Sequence, residues 1–112
     1  MIRFRRVGIV AAALFLAATT ACDDAAGPDG DTVTIAMRDN QFDPTSRTVA
    51  RGTTVRWVNQ GSTAHNTRAA TNAWQSDNLP PGEDFEVTLQ NPGTYDYTCT
   101  LHQGMNGTIV VQ

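Results

Sequence analysis

From Tyr95 onward, apolar and polar residues alternate up to Cys99-Thr100-Leu101-His102-Gln103-Gly104-Met105, and the pattern resumes at once through Asn106-Gly107-Thr108-Ile109-Val110-Val111. A thiolate, an imidazole and a thioether, each separated from the next by two residues, therefore share one short loop. Period-two runs on both sides read as strands, so Cys99 falls at the end of one strand and the chain must return through a turn into a terminal strand. A fold that satisfies this needs a sheet able to hold three donor side chains at one of its ends.

A second histidine, His65, lies far upstream, and the chain has two histidines in all. Taken singly, each residue has an ordinary explanation. His65 reads as a satisfied core or surface residue, Cys99 as a small buried hydrophobe, and Met105 as core filler. Their joint order, followed by a turn and a strand, points instead to a metal site. Thiolate and thioether favour Cu(I), imidazole suits both oxidation states, and two His and one Cys in a trigonal set with a long axial Met are diagnostic of type 1 copper. His65, Cys99, His102 and Met105 are accordingly the expected ligands of one copper ion. Zinc would accept a Cys-His-His set with an open position, but Met105 is a poor zinc ligand and no general base accompanies the cluster.

The rest of the chain has an all-β texture. Val33, Ile35 and Met37 alternate with polar residues, as do Val55 and Trp57, then Phe85, Val87 and Leu89, then Ile109 and Val111. Asp43-Pro44, Arg51-Gly52, Gln60-Gly61, Pro80-Pro81-Gly82 and Asn91-Pro92-Gly93 supply the turns. About seven to eight short strands with this punctuation predict a Greek-key β-sandwich over residues 32–112. Trp57, Phe42, Phe85, Tyr95 and Tyr97 are expected in its core. Trp74, in a polar connection, either covers a sheet edge or lines the metal end. Met37 belongs to the packing of its strand, and Asp77, Glu83, Asp84, Glu86 and Asp96 read as solvated faces and turns.

Residues 1–21 have a different character. Arg3, Arg5 and Arg6 precede an uncharged run of twelve residues, Val7 to Ala18, and small residues lead to Cys22. A basic start, an apolar stretch and a small-residue cleavage site make a secretory signal, too short for a membrane-spanning helix of about 20 apolar residues. Thr19-Thr20-Ala21-Cys22 resembles a bacterial lipobox, which implies acylation of Cys22; an ordinary signal peptide with a stray cysteine is the other reading. Residues 22–31, acidic and rich in Gly and Pro, form a flexible tether. With Cys22 lipidated and Cys99 on metal, no thiol remains for a disulfide. Removal of the signal leaves five arginines, no lysine and eleven acidic residues, a net charge of −6. That balance excludes nucleic acid as a partner and favours a protein partner with a basic docking patch.

The segment Gly93-Thr94-Tyr95-Asp96-Tyr97-Thr98-Cys99-Thr100-Leu101-His102-Gln103-Gly104-Met105-Asn106-Gly107 resembles the copper-binding end of the cupredoxins, with a short loop of the amicyanin type. Asn40-Gln41-Phe42-Asp43-Pro44, Gly52-Thr53-Thr54-Val55-Arg56-Trp57-Val58-Asn59 and His65-Asn66 match the family's first half, so the resemblance spans about Thr32 to Gln112. Thr67 stands where the family usually carries valine, and Leu101 where proline is common. The resemblance implies that Asn66 braces Thr100 behind the ligands and that a monomeric electron carrier, not an enzyme, is to be expected. His102, in the loop, would be the electron port and His65, within the strand framework, the enclosed ligand. Copper storage or delivery is the competing function, although the exposed Met or His clusters it would favour are absent. The expected location is the periplasmic side of the cell envelope, with the protein lipid-anchored to the membrane.

Overall fold

The computed structural model describes residues 31–112. The expected signal segment, the acylation site Cys22 and the tether up to residue 30 lie outside the described residues. Eight strands follow in order: β1 (Thr32–Arg38), β2 (Gln41–Asp43), β3 (Ser46–Val49), β4 (Thr53–Asn59), β5 (Arg68–Ala69), β6 (Asp84–Leu89), β7 (Gly93–Thr98) and β8 (Asn106–Val111). They form two four-stranded sheets, ordered β2-β1-β4-β6 and β3-β8-β7-β5. The chain turns from β1 into β2, crosses to the other sheet for β3 and returns for β4, so β4 runs parallel to β1 with Trp57 beside Ile35. In the second sheet β3 runs parallel to β8, with Arg47 beside Ile109. The result is the all-β sandwich that the strand spacing predicts.

Period-two patterning sets which side chains fill the space between the sheets. In β4, Thr53, Val55, Trp57 and Asn59 all point inward and are buried, while their neighbours are partly exposed. Tyr97 of β7 meets Phe42 with ring centroids 4.6 Å apart at 67° and Trp57 at 5.3 Å and 81°. These edge-on contacts suit the ring quadrupoles and add about 0.5–1.5 kcal/mol each beyond the burial itself. Burial pushes the Tyr97 hydroxyl up to about 12; neither that hydroxyl nor the Trp57 indole N–H has a hydrogen-bond partner among the described residues. Trp74 is buried too, 5.2 Å from Trp57, and so belongs to the core rather than to the metal end. Phe85 and Tyr95, expected in the core, are only half-buried at its margin. For Phe85 the reason is that β6 is an edge strand and lacks a covering neighbour.

One end of the sandwich gathers the pieces that matter for function. The C-terminal ends of β1, β4 and β7 and the N-terminal ends of β2, β6 and β8 meet there. So do the long connection between β4 and β5 and the short loop between β7 and β8.

Candidate metal centre

Cys99 follows β7 directly and is buried. Its backbone N–H donates to the Met105 carbonyl at 2.9 Å, the Met105 N–H donates to the His102 carbonyl at 3.4 Å, and the Thr98 hydroxyl donates to the Met105 carbonyl at 3.1 Å. The loop is thus closed at its base by its own backbone. Gly104 has φ +79°, a left-handed conformation that an L side chain resists, and it allows the chain to double back before Met105.

His65 was expected on a strand. It lies instead in the β4–β5 connection, fixed by a two-way backbone bridge with Leu79, N–H to carbonyl at 3.1 and 2.8 Å. At that position it is fully enclosed, at 0% exposure. From there its Nδ1 faces Cys99 Sγ at 3.9 Å, while His102 Nδ1 approaches the same sulfur at 3.5 Å. Donor atoms of all three residues lie within 4.8 Å of one another. Bonds of about 2.0 Å to nitrogen and about 2.3 Å to sulfur at about 120° would hold N and S about 3.7 Å apart. The observed separations bracket that value, so one ion fits among them. Met105, fully buried at the end of the same loop, adds a thioether to this end of the molecule. Two imidazoles, a thiolate and a thioether match a trigonal copper set.

Around the donors the hydrogen bonding is dense. The Asn66 N–H points at Cys99 Sγ at 3.5 Å. Asn66 Oδ1 accepts from the Thr100 N–H at 2.8 Å, and Asn66 Nδ2 donates to Thr100 Oγ1 at 2.8 Å and to Asn78 Oδ1 at 2.9 Å. One side chain therefore ties the connection that carries His65 to the residue after Cys99. Thr67, the departure from valine, is fully buried, and its hydroxyl accepts from Trp74 Nε1–H at 2.9 Å. His102 is half-buried, and beside it Leu101, at 43%, is the exposed large apolar side chain among the described residues.

The sequence reading missed Asp39. Asp39 Oδ1 lies 3.1 Å from His65 Nε2, and Ser62 donates to both oxygens of the carboxylate, Oγ–H to Oδ2 at 2.6 Å and backbone N–H to Oδ1 at 2.9 Å. Hydrogen bonds from Ser62 and then from His65 hold the Asp39 carboxyl well below the usual carboxylate range. An Asp-Asn pair between alternating runs reads as turn chemistry, and nothing local distinguishes a turn aspartate from one that reaches a histidine 26 residues away.

Comparison with known proteins is consistent with this geometry. The profile of the family described as Cupredoxin-like domain matches residues 7–111. A plastocyanin of Scenedesmus fuscus is 35% identical over 89 residues, covering 63% of this chain and 86% of its own length. An amicyanin of Paracoccus versutus is 27% identical over 93 residues, 79% of this chain and 70% of its own. Among solved structures, a purple cupredoxin from Nitrosopumilus maritimus is similar with a TM-score of 0.67 and 25% identity, covering 70% of this chain and 98% of that one.

Proposed function

The chain belongs to the cupredoxin-like family, and from that premise we propose that it carries single electrons between redox proteins on the outer side of a cell membrane. Copper is its cofactor. When bound, the ion supplies one-electron chemistry between Cu(I) and Cu(II). In this reading His65, Cys99 and His102 hold it, with Met105 as the weak axial donor. The observation that carries the proposal is the convergence of two imidazole nitrogens on one buried cysteine sulfur, at 3.5 and 3.9 Å.

The protein's part is to keep that geometry the same in both oxidation states. Cys99 is fixed by the end of β7 and by the Asn66 N–H, His65 by its bridge to Leu79, and the loop by its own closure. Asn66 and Thr100 brace the two halves against each other, as outer partners orient ligands elsewhere. His102, half-buried where His65 is fully enclosed, is the port, and Leu101 supplies the apolar rim on which a partner docks. Small and transient interfaces suit redox partners. An acidic chain without lysine favours a partner with a basic patch. Residues 32–112 form the copper domain of a monomer, residues 22–31 tether it, and acyl chains on Cys22 hold it on the periplasmic side of the envelope.

A carrier must bring a second redox centre near His102, whereas a copper store need not. Leu101→Glu places a charge that must be desolvated on docking and repels an already acidic copy. The variant is expected to keep its copper affinity and spectrum while electron self-exchange slows, read by line broadening in mixed Cu(I) and Cu(II) samples. Unchanged exchange would remove Leu101 from the port. Negligible exchange in the wild type would favour storage or delivery.

A further inference from the structure

The Asp39–His65 contact belongs to a larger built network. Asp39 and Asn40 form the two-residue turn between β1 and β2, with Asn40 at φ +65°. Across from them the connection after β4 is pinned by Asn59, a buried side chain at 1% exposure. Asn59 Oδ1 accepts from the Gly61 N–H at 2.8 Å, and its Nδ2 donates to the Thr63 and Leu79 carbonyls, each at 2.8 Å. That arrangement aims both Ser62 donors at Asp39. Gly61 packs directly over the contact: a β-carbon there would fall 2.4 Å from Asp39 Oδ1 and 2.8 Å from His65 Nε2. Two turns from separate parts of the chain thus close around one carboxylate–imidazole pair, and the residue between them has no room for a methyl group.

The chemistry follows from donor and acceptor roles. An ionised carboxylate only accepts, so His65 Nε2 carries the hydrogen in the neutral ring, and the lone pair sits on Nδ1, which faces Cys99 Sγ. We propose that Asp39 is a positioning residue that locks His65 in its metal-binding tautomer and, as an anion beside a buried ligand, favours Cu(II) over Cu(I) and so lowers the reduction potential. This rests on the copper reading above. A carboxylate behind a ligating histidine fixes the ring and raises its basicity. Its negative charge also attracts the doubly charged ion more than the singly charged one. A purely structural role, in which Ser62 and Asp39 only pin two turns together, predicts neither effect.

Three variants separate the roles. Asp39→Asn keeps an oxygen able to accept from Nε2–H and removes the charge; it is expected to retain the visible spectrum with a raised reduction potential. Asp39→Ala loses both, and copper affinity should fall about 10–100-fold. Gly61→Ala should follow Asp39→Ala, because its methyl group displaces the carboxylate. In the metal-free protein, imidazole nitrogen NMR should find His65 with its hydrogen on Nε2 in the wild type and distributed over both nitrogens in Asp39→Ala. Identical potentials for wild type and Asp39→Asn, or a wild-type His65 with its hydrogen on Nδ1, would overturn the proposal. A wild type that takes up no copper would sink the electron-carrier reading, and the tautomer measurement on metal-free protein would still decide what Asp39 does.

Discussion

Thr67 shows how one side chain can be neutral in a family pattern and costly to revert in this chain. Its hydroxyl is the acceptor for the buried Trp74 indole N–H, and valine in its place would leave that donor unpaired in the core. The expected cost is about 1–3 kcal/mol, read as a lower urea midpoint for Thr67→Val with an unchanged copper spectrum; equal stability would mean that the indole finds another acceptor. The metal-ligating residue types were legible in the sequence because their softness and order carry meaning even before a fold is known. Cys99, His102 and Met105 share one loop, and His65 was singled out because the chain offers no other histidine. Asp39, Ser62 and Gly61 were not legible. Their roles depend on two turns meeting in space, and in sequence each is an ordinary turn residue.

Among the elements, β8 enters the core at its second residue, Gly107, where a β-carbon would lie 2.4 Å from the Tyr97 ring and hydroxyl. Tyr97 is held by Phe42 and Trp57 and has nowhere to move. Gly107→Ala is therefore expected to destabilise the domain by about 1–3 kcal/mol through overpacking, measurable by thermal unfolding of the copper-free protein. Its stability should recover in part when Tyr97→Phe removes the hydroxyl nearest the new methyl; no loss in the single variant would contradict this packing. Strands β1, β4, β6, β7 and β8 could be read from alternation because each presents several inward apolar residues. Strands β2, β3 and β5 could not. β2 and β3 each bury a single side chain, Phe42 and Val49, and β5 has two residues, so period two has no length over which to show. The connection carrying His65 pairs through a single bridge to Leu79, a separation that no local pattern encodes, so the sequence does not distinguish it from a strand.

At the scale of the molecule, the proposed acyl anchor at Cys22 and the copper-binding sandwich can each be tested without the other. Cys22→Ser is expected to move the protein from the membrane fraction to the soluble one while leaving the copper spectrum as it is; a wild-type mature chain that begins elsewhere and carries no lipid would refute the anchor. The sandwich has its own decisive test. Two histidines, one buried cysteine and a methionine at one end of two β-sheets are proposed to form a single type 1 copper site. Titrating the purified domain with Cu(II) while recording the visible spectrum measures that site directly. Saturation at one copper per chain is expected, with an intense thiolate-to-copper charge-transfer band that Cys99→Ser abolishes. A protein that stays colourless and takes up zinc in preference to copper would contradict it.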